Sequence, residues 1–451
     1  MKRGKSVVET DSSGNSVWLL RRNPFVRRLF LGIFTIGLAA GALRFLFPWQ
    51  VLNLGGTESL ISLGGTLSAI GQVMGLLLLS RLFRGKRSSM LVSGLLLAVF
   101  ALATALAQDS VILTMARLFE GAGAGLLALL IIRVSYEFES CRGETVGTLL
   151  SALFLGSAIG QGVAGIAVES ISQVLSVSQL AAIQSLGFIL FLPFLPVLGL
   201  MLPKIEDPPA PTTNEGPKEH KHFHLGHLIR TLLTKRVALL AAVYFLYDFS
   251  HGFYTPILSI LVNNNGVPID QIGLGYLTGD LVWGGAQLYA GRVVDRIGHI
   301  WPLVVSLLAK GTIVFFYAGV FSFASLVPLL ALAGASEGFL EPARNDAAMA
   351  YSPASHLTHD HSHRYLVHSP GMSFSLARHD HEHMHLTGSD EVVSILQTVG
   401  LLGFAIGASE GAWMLFENLP MSFLPAVGGA ILILAGILSV GFRFAGPAKP
   451  L

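Results

Sequence analysis

The segment Gly291-Arg292-Val293-Val294-Asp295-Arg296-Ile297-Gly298-His299 lies between two long apolar runs and carries two arginines and two glycines. Its glycines allow two helices to turn and to pack closely. Asp295 can end a helix or pair across the loop, and Arg296 can hold the turn at an anionic lipid surface. The segment therefore predicts a tight basic turn between two membrane helices.

The composition is typical of a protein with many membrane-spanning helices. Of the 451 residues, 12% are charged and 52% are hydrophobic, and the mean hydropathy is +0.64. A soluble domain has about a quarter of its residues charged. Fifty glycines suit the close packing of helices in lipid. The single cysteine, Cys141, excludes an intrachain disulfide and a thiolate metal site.

Twelve apolar runs are long enough to cross a bilayer, and a polar stretch divides them into two sets of six. The runs lie near 29–50, 59–79, 89–107, 110–134, 146–168, 179–202, 237–262, 270–291, 301–320, 324–349, 391–415 and 422–442. We therefore expect an all-α integral membrane fold with twelve transmembrane helices in two six-helix bundles. The predicted parts are a tail (1–28), a first bundle (29–203), a linker (204–235), a second bundle (236–443) with a His-rich insertion (351–390), and a tail (444–451).

The positions of the basic residues predict the orientation. If the N-terminus is inside, the outer loops near 51–58, 108–110, 169–178, 263–269, 321–324 and 416–421 contain no Lys or Arg, whereas the inner loops contain many. The first apolar run is too long for a signal-peptide core, so we expect a retained first helix. Both termini, the linker and the insertion are therefore predicted to be cytoplasmic. A multi-pass protein of a bacterial inner membrane is the expected setting.

Three segments resemble signatures of the major facilitator superfamily of secondary transporters. The pattern G-x-x-x-D-R-x-G at 291–298 resembles the superfamily's loop signature, and the R-x-x-x-G-x-G at 117–123 resembles its fourth-helix signature. The glycine-rich stretch 156–165 resembles the antiporter signature on the fifth helix, with Gln161 where that signature has proline. The corresponding loop of the first half, Gly75 to Arg87, keeps its basic residues but has Ser80 at the expected acid.

This resemblance implies a fold and a mechanism. It implies two six-helix bundles that rock about a central site, with transport driven by an ion gradient. It also implies a gating role for Gly291, Asp295, Arg296 and Gly298, and a coupling role for Arg117. The resemblance covers the membrane core but not the two His-rich loops.

Ionisable residues at membrane depth are the candidate site residues, because inserting a charge there is costly. Counting inward along each run places ten residues at depth. They are Arg44, Arg117, Glu120, Asp248, His251, Asp280, Lys310, Glu337, Glu341 and Glu410. The second bundle holds most of the acids, so we expect the two bundles to differ in charge.

Asp248 and His251 are three residues apart and share a helix face. Their helix is aromatic and polar, and Gly252 and Pro256 interrupt it, so it can bend and line a cavity. A carboxylate beside an imidazole is suited to proton coupling. The alternative is an interhelical hydrogen bond with Tyr247 or Tyr254 as partner.

Asp280, Glu337 and Glu341 extend this candidate site. With Asp248 and His251 they would make an oxygen-rich site that suits a divalent transition metal. They would equally suit an organic cation, or be neutralised by Lys310 and Arg344 in an ion-pair network.

The first bundle offers a simpler set. Arg117 and Glu120 are three residues apart and would pair with each other. Arg44 is a candidate for a substrate contact or for a contact between helices.

Thirteen of the fifteen histidines fall in the two predicted cytoplasmic loops. Those predicted to capture metal are His220, His222, His224, His227, His356, His359, His361, His363, His379, His381, His383 and His385. Imidazole suits zinc, nickel, copper and iron, and this spacing predicts weak capture that protons oppose. A low-complexity linker or a pH-responsive loop are the alternatives.

The favoured function is a proton-coupled carrier of a divalent transition metal or its chelate, with a cytoplasmic metal donor or acceptor as partner. A carrier of an organic drug or metabolite, and a metal-sensing membrane protein that does not transport, are the alternatives. The chain has no phosphate-binding G-x-x-x-x-G-K-[ST], no H-E-x-x-H and no cysteine pair, so an enzyme is not expected. No nucleic acid and no tightly bound cofactor are expected, apart from transition-metal ions at the His loops.

Overall fold

The structure is a computed structural model that describes residues 24–79, 82–83, 86–135, 142–192, 235–351 and 388–443. Throughout these ranges the ordered elements are helices, and none of the described residues forms a strand. The helices of the first half are α1 Pro24–Asn53, α2 Glu58–Met74, α3 Lys86–Leu106, α4 Ser110–Ser135, α5 Arg142–Leu175 and α6 Gln179–Phe191. Those of the second half are α7 Lys235–Tyr254, α8 Ile269–Ile297, α9 Ile300–Phe316, α10 Phe323–Tyr351, α11 Gly388–Phe416 and α12 Phe423–Val440.

Ten of the described helices are long and apolar enough to cross a membrane. The other two are α6, which is described only as far as Phe191, and α8, whose 29 residues include Asp280 and several glycines. Short 3₁₀ turns, Tyr317–Gly319 and Gly441–Arg443, extend α9 and α12, and two helices are irregular over a longer stretch. α2 continues as a π-helical segment, Gly75–Leu79, and α7 continues through a 3₁₀ turn, Thr255–Ile257, into a short helix, Leu258–Asn264. The predicted all-α fold of twelve membrane helices is confirmed.

The two halves repeat the same packing. α1 packs on α5 as α7 packs on α11, and α2 packs on α4 as α8 packs on α10. Between the halves, α2 contacts α11 and α5 contacts α8, and these contacts are equivalent if the first half maps onto the second. The chain therefore forms two six-helix bundles related by a pseudo-two-fold axis.

We call the side where α1 begins and α12 ends the terminal face, and the opposite side the distal face. Ser62, near the distal end of α2, donates a hydrogen bond from Oγ to the carbonyl oxygen of Ala408 on α11 (2.9 Å). One turn along, the hydroxyls of Thr66 and Ser409 lie 3.1 Å apart. Gly65 of α2 faces Pro256, just after α7. These contacts join the two bundles toward the distal face.

Glycines of the antiporter-like stretch allow α1 and α5 to cross closely. A Cβ atom at Gly156 would overlap the carbonyl oxygen of Phe34, and one at Gly160 would overlap that of Leu38. Further along α5, Gly165 lies against α8 of the other bundle, near Gly273. The glycines of this signature therefore act in helix packing, within the first bundle and between bundles.

The segment Gly291–His299 is helical for most of its length, rather than the turn that the sequence predicts. α8 continues to Ile297, and only Gly298 turns the chain, with a φ of 78° that favours glycine. Gly291 and Asp295 lie on the last turns of α8, the side chain of Asp295 is outside the described part, and Arg296 is exposed.

Candidate functional site

Glu120 is the centre of an ion network in the first bundle. Its side chain is fully buried. Arg44 of α1 donates to Glu120 Oε1 from Nε (3.0 Å) and Nη2 (2.5 Å), and Ser68 of α2 donates to Oε2 (2.6 Å). Arg117 Nη1 lies 3.1 Å from the same Oε2. The predicted Arg117–Glu120 pair is confirmed, and Arg44 makes a contact between helices.

Arg117 is held by aromatic rings as well as by charge. Its guanidinium carbon lies 4.9 Å from the ring centre of Phe47 and 5.6 Å from that of Phe100. Such cation–π contacts stabilise a desolvated arginine. Arg117 is 7% exposed, so the fourth-helix signature residue lies inside the bundle.

Glu337 is the corresponding centre in the second bundle. Three groups converge on its Oε1 atom: Lys310 Nζ of α9 at 2.5 Å, His251 Nε2 of α7 at 2.8 Å, and the Tyr247 hydroxyl at 3.4 Å. Lys310 is 5% exposed, so it depends on this carboxylate for its counter-charge. His251 also lies beside the ring of Tyr247, with ring centres 4.6 Å apart.

Arg344, which is 6% exposed, lies between two further acids of the second bundle, Asp248 and Glu341. Its Nη2 lies 3.4 Å from Asp248 Oδ2, and its Nη1 lies 3.4 Å from Glu341 Oε1. The guanidinium carbon is 3.9 Å from the ring centre of Tyr244 and 4.6 Å from that of Tyr247. Asp248 and His251 thus lie on one helix but bind different partners.

These contacts correct the expectation of a divalent-metal site at Asp248, His251, Asp280, Glu337 and Glu341. No group of three or more His, Cys, Asp or Glu side chains that could hold a metal ion occurs among the described residues. The physical reason is that Lys310 pairs with Glu337 and Arg344 pairs with Asp248 and Glu341, while Asp280 bonds to Gln161 of the other bundle. The ion-pair network considered as the alternative is the arrangement found.

Asp280 lies at the interface between the bundles. Gln161 of α5 donates from Nε2 to Asp280 Oδ2 of α8 at 3.0 Å. Nearby, the rings of Phe154 and Trp283 meet across the same helix pair, with centres 4.3 Å apart. Gln161 replaces the proline of the antiporter-like stretch, and that departure was the one sequence signal for this residue.

Several of these polar groups border an internal space. From Ala39 to Val51 every residue of α1 is buried except Arg44, whose side chain is 47% exposed. Since its neighbours on all sides of the helix are buried, Arg44 faces a hollow inside the protein rather than lipid. In the second bundle, Glu341 (32%) and His251 (20%) keep partial exposure.

Two further outcomes concern histidines. The twelve histidines predicted to capture metal all fall within 193–234 or 352–387, outside the described residues. His299, which directly follows Gly298, lies with Nδ1 2.8 Å from Asp346 Oδ2 on α10. This contact near the terminal face was not predicted from the sequence, because each residue is unremarkable in its own segment.

Comparisons with known proteins agree with this architecture. The family model of the Major Facilitator Superfamily matches residues 29–368. A crystal structure of a mutant of the nucleoside transporter NupG matches with a TM-score of 0.68 and 12% identity, covering 94% of this chain and 100% of that chain. No curated protein sequence matches the chain. Because the family model spans most of the sequence, the chain belongs to the major facilitator superfamily of membrane transporters.

Proposed function

We propose that this protein is a proton-coupled carrier that moves a small organic solute by alternating access. The observation that supports this is the charge of the interior network. Five carboxylates oppose four cations: Glu120, Asp248, Asp280, Glu337 and Glu341 against Arg44, Arg117, Lys310 and Arg344. With neutral His251 the network therefore carries one surplus negative charge, which a single bound proton balances.

His251 and Glu337 are the proposed proton site. They share one contact, and Lys310 and Tyr247 face the same Oε1 atom. A proton shared by this pair changes how strongly Glu337 holds Lys310. Because α7, α9 and α10 each supply one of these charged groups, a proton bound here alters the packing of the second bundle.

An organic solute fits the site better than a divalent metal. A metal ion would have to displace Lys310 or Arg344 from the carboxylates, which leaves a buried cation without a partner. The metal prediction now depends on the His-rich loops alone, together with the cytoplasmic metal donor or acceptor expected with them. We further propose a bacterial inner membrane with both termini cytoplasmic, as the distribution of Lys and Arg favours.

Uptake into proteoliposomes tests the function. The purified protein is reconstituted, and uptake of labelled amino acids, nucleosides, sugars and divalent metals is measured with and without an inward proton gradient. We expect one organic class to accumulate, and collapse of the gradient by a protonophore to end accumulation. Accumulation that ignores the proton gradient would refute proton coupling, and accumulation of a divalent metal alone would refute the organic cargo.

Alternating access predicts that the distal contacts must open during transport. Thr66 and Ser409 have hydroxyls 3.1 Å apart on opposite bundles, so cysteines at both positions are close enough for a disulfide. In a Cys141→Ser background, we expect oxidation of Thr66→Cys/Ser409→Cys to reduce uptake to below roughly a tenth, because the bundles cannot separate there. Reduction should restore it. The two single-cysteine variants are the controls, and full uptake by the oxidised double variant would contradict the proposal.

A further inference from the structure

Arg44 of α1 and Asp280 of α8 lie on different bundles, close to a contact that joins these two helices. Phe45, next to Arg44 on α1, meets Tyr276, one turn before Asp280 on α8, with ring centres 6.1 Å apart. Arg44 and Asp280 are themselves within electrostatic range of each other. Each belongs to a different bundle, so a solute that touches both would connect the two halves.

The charges of Arg44 and Asp280 are not fully paired within the protein. In the first bundle two arginines share the single carboxylate Glu120, which leaves one positive charge in surplus. Arg44 donates to Glu120 from Nε and Nη2, and its Nη1 atom donates no hydrogen bond to any described residue. Asp280 has the neutral Gln161 as its hydrogen-bond partner, so its negative charge also lacks a directly bonded cation.

We propose that Arg44 and Asp280 bind the two ends of a zwitterionic solute, with a carboxylate on Arg44 and an ammonium group on Asp280. This inference rests on the proposed transport function and names the class of its cargo. A charge-assisted bond at each end fixes the orientation of the solute, and an ion of either sign satisfies only one end. A zwitterion adds no net charge, so the coupled proton is still needed to balance the network.

The surroundings indicate an apolar or aromatic side group on that zwitterion. Phe45, next to Arg44, meets Tyr276, and Phe154 and Trp283 meet at the α5–α8 interface that also holds the Gln161–Asp280 bond. Trp283 also has a buried Nε1 atom without a hydrogen-bond partner in the described part of the chain. Aromatic walls with a few placed polar groups are typical of small-molecule sites.

Three probes that share the phenylalanine side chain and differ in their charged end groups test the class: phenylalanine, phenylalaninamide and N-acetylphenylalanine. The full-length detergent-purified protein is used, and binding is measured by isothermal titration calorimetry and by the shift in Tm. We expect phenylalanine to bind at least roughly tenfold more tightly than either derivative, because each derivative loses one charge-assisted bond. Equal binding of the amide or of the N-acetyl compound would overturn the proposal.

Variants assign the two ends. Asp280→Asn keeps the shape of the side chain and the bond to Gln161. We expect this variant to bind phenylalanine roughly tenfold to a hundredfold more weakly than the wild type does, and to bind N-acetylphenylalanine equally well. Arg44→Gln should also weaken the binding of phenylalanine, but it should bind phenylalaninamide as wild type does. If Arg44→Gln does not fold, Arg44→Lys keeps the charge for Glu120 but lacks the unused Nη1 donor, and phenylalanine and N-acetylphenylalanine should bind to it more weakly than to the wild type. Loss of all three probes in Asp280→Asn would overturn the assignment.

The result separates this inference from the proposed function. If phenylalanine binds in the charge-selective way described but no solute crosses the membrane, the site is supported and transport is refuted. If a proton-driven flux of an uncharged or singly charged solute is found and the zwitterion does not bind, transport stands and the zwitterion site is refuted.

Discussion

Replacing Glu337 by glutamine is expected to abolish proton-driven uptake, with a loss of at least roughly a hundredfold. The carboxylate receives Lys310 at 2.5 Å and His251 at 2.8 Å, both on one oxygen atom. Glutamine keeps the shape and an acceptor oxygen but not the charge, so Lys310 and His251 lose the negative charge that they share. Leaving a buried cation without its partner costs about 3–5 kcal/mol, so Tm should fall as well.

The control for this variant separates transport from folding. In Glu337→Gln/Lys310→Met no cation is left unpaired, so we expect Tm to recover most of its loss while uptake stays absent. Glu417→Gln makes the same chemical change at an exposed position in the distal turn after α11 and should leave both measurements at the wild-type value. Proton-driven uptake at more than half the wild-type rate in Glu337→Gln would remove Glu337 from the mechanism.

The sequence predicted the layout of the molecule because membrane physics leaves few choices. A backbone in lipid must satisfy its own hydrogen bonds, so each long apolar run becomes a helix. The sequence also predicted that Pro256 interrupts the seventh helix, and the structure has a 3₁₀ turn there. The pairing of Arg117 with Glu120 followed from their spacing on one helix.

The sequence did not predict which side chains on different helices contact each other. Helical periodicity places Asp248 and His251 on one face, but it does not show which helix faces them or which of its residues each one meets. In the structure both face α10, but Asp248 meets Arg344 and His251 meets Glu337, two turns apart on that helix. Counting residues also placed Glu410 at depth; it lies within the membrane-length part of α11, Ile395–Phe416, with an exposed side chain.

Gln161 shows why a departure from a motif is informative. A proline at that position could not donate from a side chain, whereas Gln161 reaches across the bundle interface to Asp280. The sequence showed the departure but gave no sign of the partner, which lies more than a hundred residues away. A single contact of this kind links the antiporter-like stretch to the proposed cargo site.

Replacing Gly160 by valine is expected to prevent the first bundle from packing. A Cβ atom at Gly160 would overlap the carbonyl oxygen of Leu38, which is backbone and cannot rotate away. α1 and α5 would have to separate along their crossing, where Gly41 already lies against the backbone of Ser157. Overpacking of a side chain costs about 1–3 kcal/mol, and a backbone clash should cost more. We expect little monodisperse protein on size-exclusion chromatography and a Tm lowered by several degrees in what remains.

Gly285→Val is the matched control, because no atom lies within 4 Å of a Cβ at that position on α8. It should elute and melt as wild type does. Gly160→Ala should fall between the two, since alanine adds the clashing Cβ atom without the further bulk of valine. If Gly160→Val folds with wild-type Tm, then α1 and α5 do not cross as closely as described. In that case the positions of Arg44 on α1 and Gln161 on α5, on which the zwitterion site depends, would also be wrong.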